Sequence, residues 1–270
     1  MHKIAFVCVD YNGWSHTNKF CLSLAKQEGA GVDFSFCCVV VDNSENKINS
    51  KLLAESLSVW DWVMYYPADV NLGYFGGLNF GLSKLDLSAW DFVVICNNDL
   101  EFATDFCRKI VQKSYSENIL SICPDVVTSD GIHQNPHVLN RIGLMRRLKY
   151  DLYYSHYYFA WLLTLILNFF RPTKSSPPQP NDACEIHMGI GAIYVLTREF
   201  FRKFRKLNYS YFLYGEEAFL SEQIHSTGGI LWFDPALRVS HAESAATSKI
   251  PKRTVYEFSR QGYSAYRKLL

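Results

Sequence analysis

Phe92-Val-Val-Ile-Cys-Asn-Asn-Asp99 places five apolar residues directly before three polar ones. A short apolar run rich in β-branched residues predicts a buried strand. Three similar runs precede it, at residues 4–9, 34–41 and 62–66, and stretches that fit helices, such as residues 17–28, lie between them. Because strands that alternate with helices are typical of βαβ units, we expect an α/β fold with a mostly parallel central sheet flanked by helices.

Polar side chains follow three of these predicted strands. Asp10-Tyr11-Asn12 follows the first strand, Asp42-Asn43 the second, and Asn97-Asn98-Asp99 the fourth. One such cluster would be an ordinary turn, because Asn and Asp form turns and helix caps. In parallel sheets, however, ligands bind in the crevice beyond the carboxyl ends of the strands. Three polar strand ends from separate βα units therefore indicate a binding site.

A glycine-rich stretch, Asn71-Leu-Gly-Tyr-Phe-Gly-Gly-Leu-Asn79, follows the third strand and precedes a predicted helix over residues 78–85. Glycines allow the backbone to approach a ligand closely, and a helix N-terminus offers free N–H groups to anionic oxygen. The spacing differs from the G-x-G-x-x-G dinucleotide motif. The alternative is a loop that requires positive φ angles, which would explain the glycines but not both asparagines.

Three further features could carry chemistry. Asp99 offers the oxygen ligands that Mg²⁺ and Mn²⁺ prefer. Glu216 and Glu217 are adjacent carboxylates, whose repulsion raises the pKa of one and favours a general base, although acidic residues in a first helical turn also complement the helix dipole. His241 could ligate a metal through its imidazole, or it could be a structural histidine.

Composition limits the classes of protein that remain. The 270 residues are 49% hydrophobic and 20% charged, which suits a folded core and excludes a disordered chain. The net charge of +1 gives no reason to expect nucleic-acid binding. Eight cysteines include no C-x-x-C pair, and five lie in apolar runs, so we expect reduced thiols and a cytoplasmic location. Residues 4–9 are too short an apolar run for a signal peptide.

The middle of the chain differs in character. Residues 141–149 are basic, Tyr157–Phe170 is almost wholly apolar and aromatic, and residues 174–180 are a proline-rich linker. Fourteen residues are short for a membrane span, which needs about 20. Two interpretations remain open. The segment is either a buried helix or oligomer contact, or an interfacial helix at the inner face of the membrane. In the second case, Arg146, Arg147, Lys149, Arg171 and Lys174 would contact anionic headgroups.

Taken in order, these motifs resemble the family two glycosyltransferases of the GT-A fold, especially bacterial enzymes of cell-surface polysaccharide synthesis, including rhamnosyltransferase-like members. The residues that carry the resemblance are Tyr11-Asn12, Val39-Val-Val-Asp-Asn-Ser44, Asn71-Leu-Gly-Tyr-Phe-Gly-Gly-Leu-Asn79, Asn97-Asn-Asp99, Gly189-Ile-Gly-Ala-Ile193, Phe212-Leu-Tyr-Gly-Glu-Glu217 and His241-Ala-Glu-Ser244. The resemblance divides the chain into a nucleotide-sugar-binding half (1–125), an insertion (126–182), an acceptor-binding and catalytic half (183–250) and a C-terminal helix (251–270).

The resemblance also implies roles for individual residues. Asp99 corresponds to the last residue of the family's metal-binding D-x-D-type motif, and His241 to a further ligand of Mn²⁺ or Mg²⁺. Glu217 corresponds to the base, with Glu216 beside it, and Asp42 to the aspartate that recognises the nucleotide base. The complete nucleotide-sugar-binding set is Asp10, Tyr11, Asn12, Asp42, Asn43, Asn71, Gly73, Gly77, Asn79, Asn97, Asn98 and Gly191.

The expected activity is an inverting, metal-dependent transfer of a sugar from a UDP- or dTDP-sugar. The acceptor would be a glycan or lipid-linked oligosaccharide of an O-antigen or capsule-type surface glycan. Two residues depart from the family pattern: an asparagine replaces the earlier aspartate of the metal motif, and Glu216-Glu217 replaces Glu-Asp. A nucleotidyltransferase is one alternative, but residues 11–15 lack the lysine typical of its loop. A nucleotide-sugar-binding subunit without catalytic activity is the other.

Overall fold

The first half of the chain alternates strands and helices, as the sequence predicts. A computed structural model describes residues 1–170, 179–209, 211–242 and 252–268. The elements of this half are β1 (His2–Asp10), α1 (Trp14–Leu24), β2 (Phe34–Asp42), α2 (Lys47–Leu57), β3 (Val63–Pro67), α3 (Tyr74–Leu82), a 3₁₀ turn (Leu87–Ala89), β4 (Phe92–Asn97), β5 (Leu100–Phe102), α4 (Phe106–Gln112) and β6 (Ile119–Thr128).

The second half begins with two consecutive helices and returns to the same sheet. Its elements are α5 (Leu144–Ser155), α6 (Tyr157–Phe170), β7 (Cys184–Ile186), β8 (Ile193–Thr197), α7 (Arg198–Lys203), α8 (Glu216–His225), β9 (Ile230–His241) and α9 (Lys252–Tyr266). Most of the predicted linker, together with Arg171, Lys174, Glu243 and Ser244, lies outside the described residues. Within the described residues, no helix combines the length and apolar character needed to cross a membrane.

All nine strands join one sheet, in the order β3-β2-β1-β4-β8-β6-β9-β5, and β7 pairs with β9. The first four strands of this order are parallel, which confirms the expected βαβ architecture. β8 runs antiparallel to both β4 and β6, so the sheet is mixed in its second half. The chain moves outward from β1 to β3 and then crosses to β4 on the other side of β1. This reversal opens a crevice at the carboxyl ends of β1 and β4.

Apolar side chains cover both faces of the sheet. Along β1, Ile4, Phe6 and Cys8 enter one core, and the alternate residues enter the other. Helix α3 lies very close to the second face, because an added Cβ at Gly81 would be 2.5 Å from a methyl carbon of Val7. Burial on both faces explains why these strands are apolar throughout.

Three predicted boundaries are wrong. The helix expected over residues 17–28 is α1, which begins and ends earlier. The helix expected over residues 78–85 is α3, which begins at Tyr74, so most of the glycine-rich stretch is helical. The apolar run at residues 230–233 predicts a short strand, whereas the structure has β9, which continues to His241. A register shift opposite Pro124 and Asp125 lets β9 continue past Asp234 and Pro235.

Candidate active site

The carboxyl ends of β1, β2 and β4 lie side by side. Asp10 is the direct partner of Asp42 in the parallel register of β1 and β2, and Val9 is the partner of Asn97 in that of β1 and β4. The three polar clusters that the sequence singles out therefore meet at one edge of the sheet.

Asp10 is fully buried beneath this edge and organises its surroundings. Its carboxylate accepts hydrogen bonds from the Gly13 N–H (3.0 Å), the Asn98 side chain (3.0 Å) and the Thr17 hydroxyl. Burial raises the pKa of Asp10, and the hydrogen bonds from Thr17, Gly13 and Asn98 oppose that shift. Asp10 and Asn98 thus connect the start of α1 to the end of β4.

Asp42 is also buried, and its carboxylate is held on both sides. One oxygen accepts the Ser44 N–H at 2.8 Å, and the other accepts the Tyr65 hydroxyl at 2.8 Å. Burial, and then the Asp42 carboxylate, raise the pKa of Tyr65. Such fixed carboxylates suit recognition of a ligand's N–H groups, because little side-chain entropy remains to be lost on binding.

Tyr11 and Asn12 form the loop between β1 and α1. The Tyr11 side chain is 41% exposed. Asn12 has a φ of 54°, donates its N–H to the Ser44 hydroxyl at 2.8 Å, and accepts a hydrogen bond from the Asn49 amide at 3.3 Å. The loop is therefore held in place and leaves the Tyr11 ring accessible at the mouth of the crevice.

The glycine-rich stretch packs mainly against protein. Gly73 has a φ of 71°, and an added Cβ there would lie 2.3 Å from the Phe212 carbonyl oxygen. At Gly77, an added Cβ would lie 2.8 Å from a Val9 methyl carbon. Asn71 accepts the Gly73 N–H at 3.0 Å. These contacts supply a packing reason for both glycines; the predicted contacts of Asn71, Gly73 and Gly77 with ribose and diphosphate stay predictions.

Two asparagines near this stretch join separate segments. Asn79 donates to the Leu207 carbonyl at 3.0 Å and accepts the Leu207 N–H at 2.8 Å. Asn43 donates to the Gly73 carbonyl at 2.9 Å, and its own Oδ1 is buried without a hydrogen-bond partner. Asn79 therefore joins the two halves of the chain, and its predicted ligand contact stays a prediction.

Asp99 and His241 bring unpartnered polar atoms together. Both carboxylate oxygens of Asp99 and Nε2 of His241 are buried without a hydrogen bond, and Asp99 Oδ1 lies 3.3 Å from that Nε2. His241 Nδ1 lies 2.6 Å from Oε1 of Gln134. An Nδ1–H donated to Gln134 leaves a lone pair on Nε2, which then faces a carboxylate oxygen. The nitrogen lone pair and the carboxylate oxygen repel each other, and a cation that both of them bind would remove this repulsion.

A hard divalent cation fits this pair, because buried polar atoms without partners are strongly unfavourable otherwise. The described residues contain no cluster of three or more ligating side chains, so Asp99 and His241 could supply only part of a coordination shell. Water molecules and oxygen atoms of a bound ligand would supply the rest, as is common for Mg²⁺ sites.

The two glutamates at the start of α8 lie in different environments. Glu216 is only 6% exposed, and its Oε1 accepts the Tyr214 N–H at 3.0 Å. Burial, and then the neighbouring Glu217 carboxylate, raise the pKa of Glu216 to about 8. Glu217 is half-buried, and its Oε1 accepts the Gly191 N–H at 3.2 Å. Burial therefore favours the protonated form of Glu216.

Gly191 and Tyr74 connect Glu217 to the sheet edge. The Tyr74 hydroxyl donates to the Gly191 carbonyl at 3.0 Å, while the Gly191 N–H binds Glu217. Burial raises the pKa of Tyr74. The Asn97 N–H donates to the Ala192 carbonyl at 2.8 Å, so the end of β4 that precedes Asp99 is bonded to the loop that holds Glu217.

A cavity of about 330 Å³ adjoins Glu217. It is lined by residues of α5, of the start of α8 and of α9, together with His137, Val138, Ile142 and Met188. The segment before α8 is unusual, because Tyr214 and Gly215 have φ angles of 69° and 100°. Left-handed backbone at a residue other than glycine is uncommon and is often found at functional sites.

Sequence reasoning missed Tyr74 and Gln134. Tyr74 lies within the glycine-rich stretch, so its position was visible although its role was not. Gln134 has no sequence signal, because only the pairing of β5 with β9 and of β9 with β6 brings it to His241.

No protein-family model matches the chain, and no curated protein sequence matches it either. Solved structures do. GalNAc-T7, crystallised with UDP, GalNAc and Mn²⁺, matches with a TM-score of 0.63 and 18% identity over 91% of this chain and 45% of that chain. Staphylococcus aureus TarS matches with a TM-score of 0.55 and 11% identity over 97% of this chain and 39% of that chain. This chain spans less than half the length of each. The expected GT-A glycosyltransferase fold is confirmed.

Proposed function

We propose that this protein is a glycosyltransferase that transfers one sugar, with inversion, from a UDP- or dTDP-sugar to a glycan or lipid-linked oligosaccharide. The observation that carries the proposal is the hydrogen-bonded connection between the end of β4 before Asp99 and the Gly191-Ala192 loop that holds Glu217, at the strand ends of a GT-A fold. A leaving-group site and a base must belong to one site if one displacement is to use both.

The donor occupies the carboxyl ends of β1, β2 and β4. Asp42 is rigidly held and suits the N–H groups of a pyrimidine base, while the exposed Tyr11 ring offers a surface for stacking. The diphosphate then extends toward Asp99 and His241.

Asp99 and His241 are the residues that would hold Mn²⁺ or Mg²⁺, and the unpartnered buried atoms of both support this role. When bound, the cation would offset negative charge on the departing diphosphate. A carboxylate oxygen and an imidazole nitrogen are both suitable ligands for such a cation, and this supports the proposed metal site.

Glu217 is the general base. It is half-buried, it faces the 330 Å³ cavity, and the Gly191 N–H orients its carboxylate. It takes the proton of an acceptor hydroxyl as that oxygen bonds to the anomeric carbon, while the bond from that carbon to the diphosphate oxygen breaks. Glu216 accepts the Tyr214 N–H, and its burial raises its pKa, which favours the neutral form beside the base.

The other functions predict different observations. A nucleotidyltransferase would release pyrophosphate from a nucleoside triphosphate, and a binding subunit would bind donor without turnover. Glu217 favours the transferase, because a binding subunit does not need a base held by a backbone N–H beside a cavity.

A peripheral membrane contact belongs to the proposal. Large apolar side chains are exposed on α5 and α6, and basic residues lie among them on α5. The most exposed apolar ones are Leu144 (72%), Met145 (71%), Tyr158 (67%) and Trp161 (55%). A solvated apolar face flanked by cations suits an anionic membrane surface, where a lipid-linked acceptor of a bacterial surface glycan would be found. This would place the protein at the cytoplasmic face.

Donor binding and turnover test the proposal directly. Melting temperature is measured with UDP-sugars and dTDP-sugars, with Mn²⁺ and with EDTA, and release of nucleoside diphosphate is then followed with each stabilising donor. A donor at ~100 times its Kd should stabilise the fold by ~2.7 kcal/mol. Sugar transfer that disappears in Glu217→Gln supports the enzyme. Donor binding without turnover favours the binding subunit, and pyrophosphate release from a triphosphate favours the nucleotidyltransferase.

A further inference from the structure

The cavity beside Glu217 is built by parts of the chain outside the nucleotide-sugar-binding half. Its walls come from α5, from the start of α8, from α9, and from His137, Val138, Ile142 and Met188. Glu217 is the one residue of the lining to which we have assigned a chemical role. The cavity therefore extends from the base into a region formed mainly by the insertion and the C-terminal helix.

Close backbone contacts fix α9 against the segment that carries the base. An added Cβ at Gly262 would lie 2.2 Å from the Tyr214 carbonyl oxygen, and one at Gly215 would lie 2.3 Å from the Tyr266 ring. Only glycines allow such an approach. The helix cannot move away from this segment without loss of packing at both glycines.

Polar contacts join α9 to α5, the two helices that supply part of the lining. The Tyr263 hydroxyl donates to Asp151 at 2.7 Å, and Arg267 forms an ion pair with the same carboxylate at 2.9 Å. The rings of Tyr154 and Tyr263 stack with centroids 4.5 Å apart. The two helices thus form one wall whose position relative to Glu217 is well determined.

The chemistry of the lining suits a neutral, hydroxyl-rich ligand. Four tyrosines, at positions 150, 154, 214 and 266, line the cavity. A tyrosine ring offers an apolar face to the C–H side of a sugar, and its hydroxyl can bond sugar hydroxyls. Apart from tyrosines, the ionisable lining residues are His137 and Glu217, and the lining includes no Lys or Arg among the described residues. The lining itself thus offers no cation to a phosphate group, and the arginines beside it, Arg146 and Arg147, donate to the Tyr150 hydroxyl (2.9 Å) and the Ile142 carbonyl (3.2 Å).

We infer that this cavity binds the sugar ring of the acceptor, stacked on the tyrosines of α5 and α9, with one hydroxyl directed at Glu217. The inference rests on the proposed function, because it takes Glu217 to be the base. It adds the insertion and the C-terminal helix to the recognition of the acceptor, which the sequence assigns to residues 183–250 alone; Met188 and the residues before and at the start of α8 belong to that range. About 330 Å³ accommodates one pyranose ring with its substituents and lies near the lower limit for small-molecule sites.

Two serines of α9 provide a matched test. Ser259 lines the cavity, whereas Ser264 is exposed on the same helix. Ser259→Phe places a ring in the cavity, and Ser264→Phe makes the same substitution outside it. Binding of methyl glucoside, galactoside, mannoside, rhamnoside and N-acetylglucosaminide is measured by saturation-transfer NMR. Methyl glycosides are chosen because longer alkyl chains could bind the exposed apolar side chains of α6.

The expected result is binding of at least one methyl pyranoside by the wild-type protein and by Ser264→Phe, with loss of about tenfold or more in affinity in Ser259→Phe. Tyr150→Leu should also weaken binding, whereas Tyr150→Phe should retain most of it, because the ring face remains. No binding of any of these sugars, or equal binding in both serine variants, would overturn the inference.

Calorimetric binding of UDP with Mn²⁺ separates this inference from the proposed function. Ser259→Phe should bind UDP as the wild type does, since the strand ends do not line the cavity. Sugar binding that depends on Ser259 in a protein that binds neither UDP nor dTDP would retain the sugar site and refute the transferase. If the wild-type protein and Ser259→Phe bind nucleotide and transfer sugar equally well, the transferase is supported and the acceptor cavity is refuted.

Discussion

Asparagine in place of Asp99 should change the stability of the protein in opposite directions with and without Mn²⁺. In the absence of metal, the wild-type protein holds a carboxylate whose two oxygens are buried without a hydrogen bond, 3.3 Å from Nε2 of His241. An unsatisfied buried polar group costs about 1–3 kcal/mol, and more when it is charged. Asp99→Asn removes the charge and keeps the shape, so in EDTA it should stabilise the fold by about 1–2 kcal/mol.

The sign reverses when the cation is present. Mn²⁺ at ~100 times its Kd should stabilise the wild-type protein by ~2.7 kcal/mol, and Asp99→Asn should lose most of this gain. One kcal/mol corresponds to roughly 2–4 °C in melting temperature for a chain of about this size. We therefore expect the variant to melt about 2–8 °C above the wild type in EDTA, and at or below it in excess Mn²⁺.

Differential scanning calorimetry with EDTA and with Mn²⁺ measures both effects. Asp61→Asn is the control, because Asp61 is exposed and the same charge is removed. An Asp99→Asn variant that melts below the wild type in EDTA would show that Asp99 is stabilised by protonated His241 as an ion pair. An equal response of wild type and variant to Mn²⁺ would remove Asp99 from the metal site.

Three other predictions concern the two glutamates of α8 and the exposed side chains of α6. Glu217→Gln should lower kcat by about 10²–10⁴ in donor turnover assays without a change in melting temperature, and near-normal turnover would leave the reaction without its base. Burial raises the pKa of Glu216 from 4.5 to about 8, so between these pH values the folded state holds a proton that the unfolded state has lost. The stability of the wild-type protein should therefore decline as pH rises through that window. Glu216→Gln should lack this decline, so its stability relative to the wild type should rise from pH 5 to 8, by ~1.4 kcal/mol in free energy of unfolding for each unit of pKa shift. A difference in melting temperature between variant and wild type that stays constant over this range would contradict the prediction. Trp161→Ser should weaken flotation with phosphatidylglycerol vesicles at low salt, whereas Val59→Ser, which is exposed elsewhere, should not; equal flotation would place the membrane contact elsewhere.

The strand-end edge could be predicted from sequence because its signals are local. Each strand is a continuous apolar run, and each run ends in Asp or Asn within one or two residues of the observed end, as at Asp10, Asp42 and Asn97. Parallel pairing then brings these ends together without any further information. No long-range contact had to be guessed.

The ligands of the second half were harder to place. His241 could be singled out, but the apolar run that predicts this strand ends at Phe233, and Asp234-Pro235 follows it. The strand continues because its register shifts opposite β6, which no local pattern reveals. The contact of Gln134 with His241 depends on that shift and was invisible for the same reason.

Glycines were also ambiguous in sequence. The absence of a Cβ suits a ligand or a neighbouring protein atom equally well, and the structure supplies protein neighbours for Gly77 and Gly73. The Glu216-Glu217 pair is similar, since repulsion between adjacent carboxylates predicts that one pKa rises but not which. Burial decides it: Glu216 lies inside, and Glu217 faces the cavity.

The base is held by several contacts that no single motif contains. Gly191 leaves room for the Glu217 carboxylate, because an added Cβ would lie 2.6 Å from its Oε1. Tyr214 accepts an unfavourable φ of 69°, which costs about 1–3 kcal/mol, and contacts from Tyr209, Glu216 and α9 offset that strain. A carboxylate that had to find its position in each turnover would react more slowly, since misplacement by ~1 Å can lower the rate ~100-fold. The strained turn and the packed glycines are therefore consistent with a base whose position is set before substrate arrives.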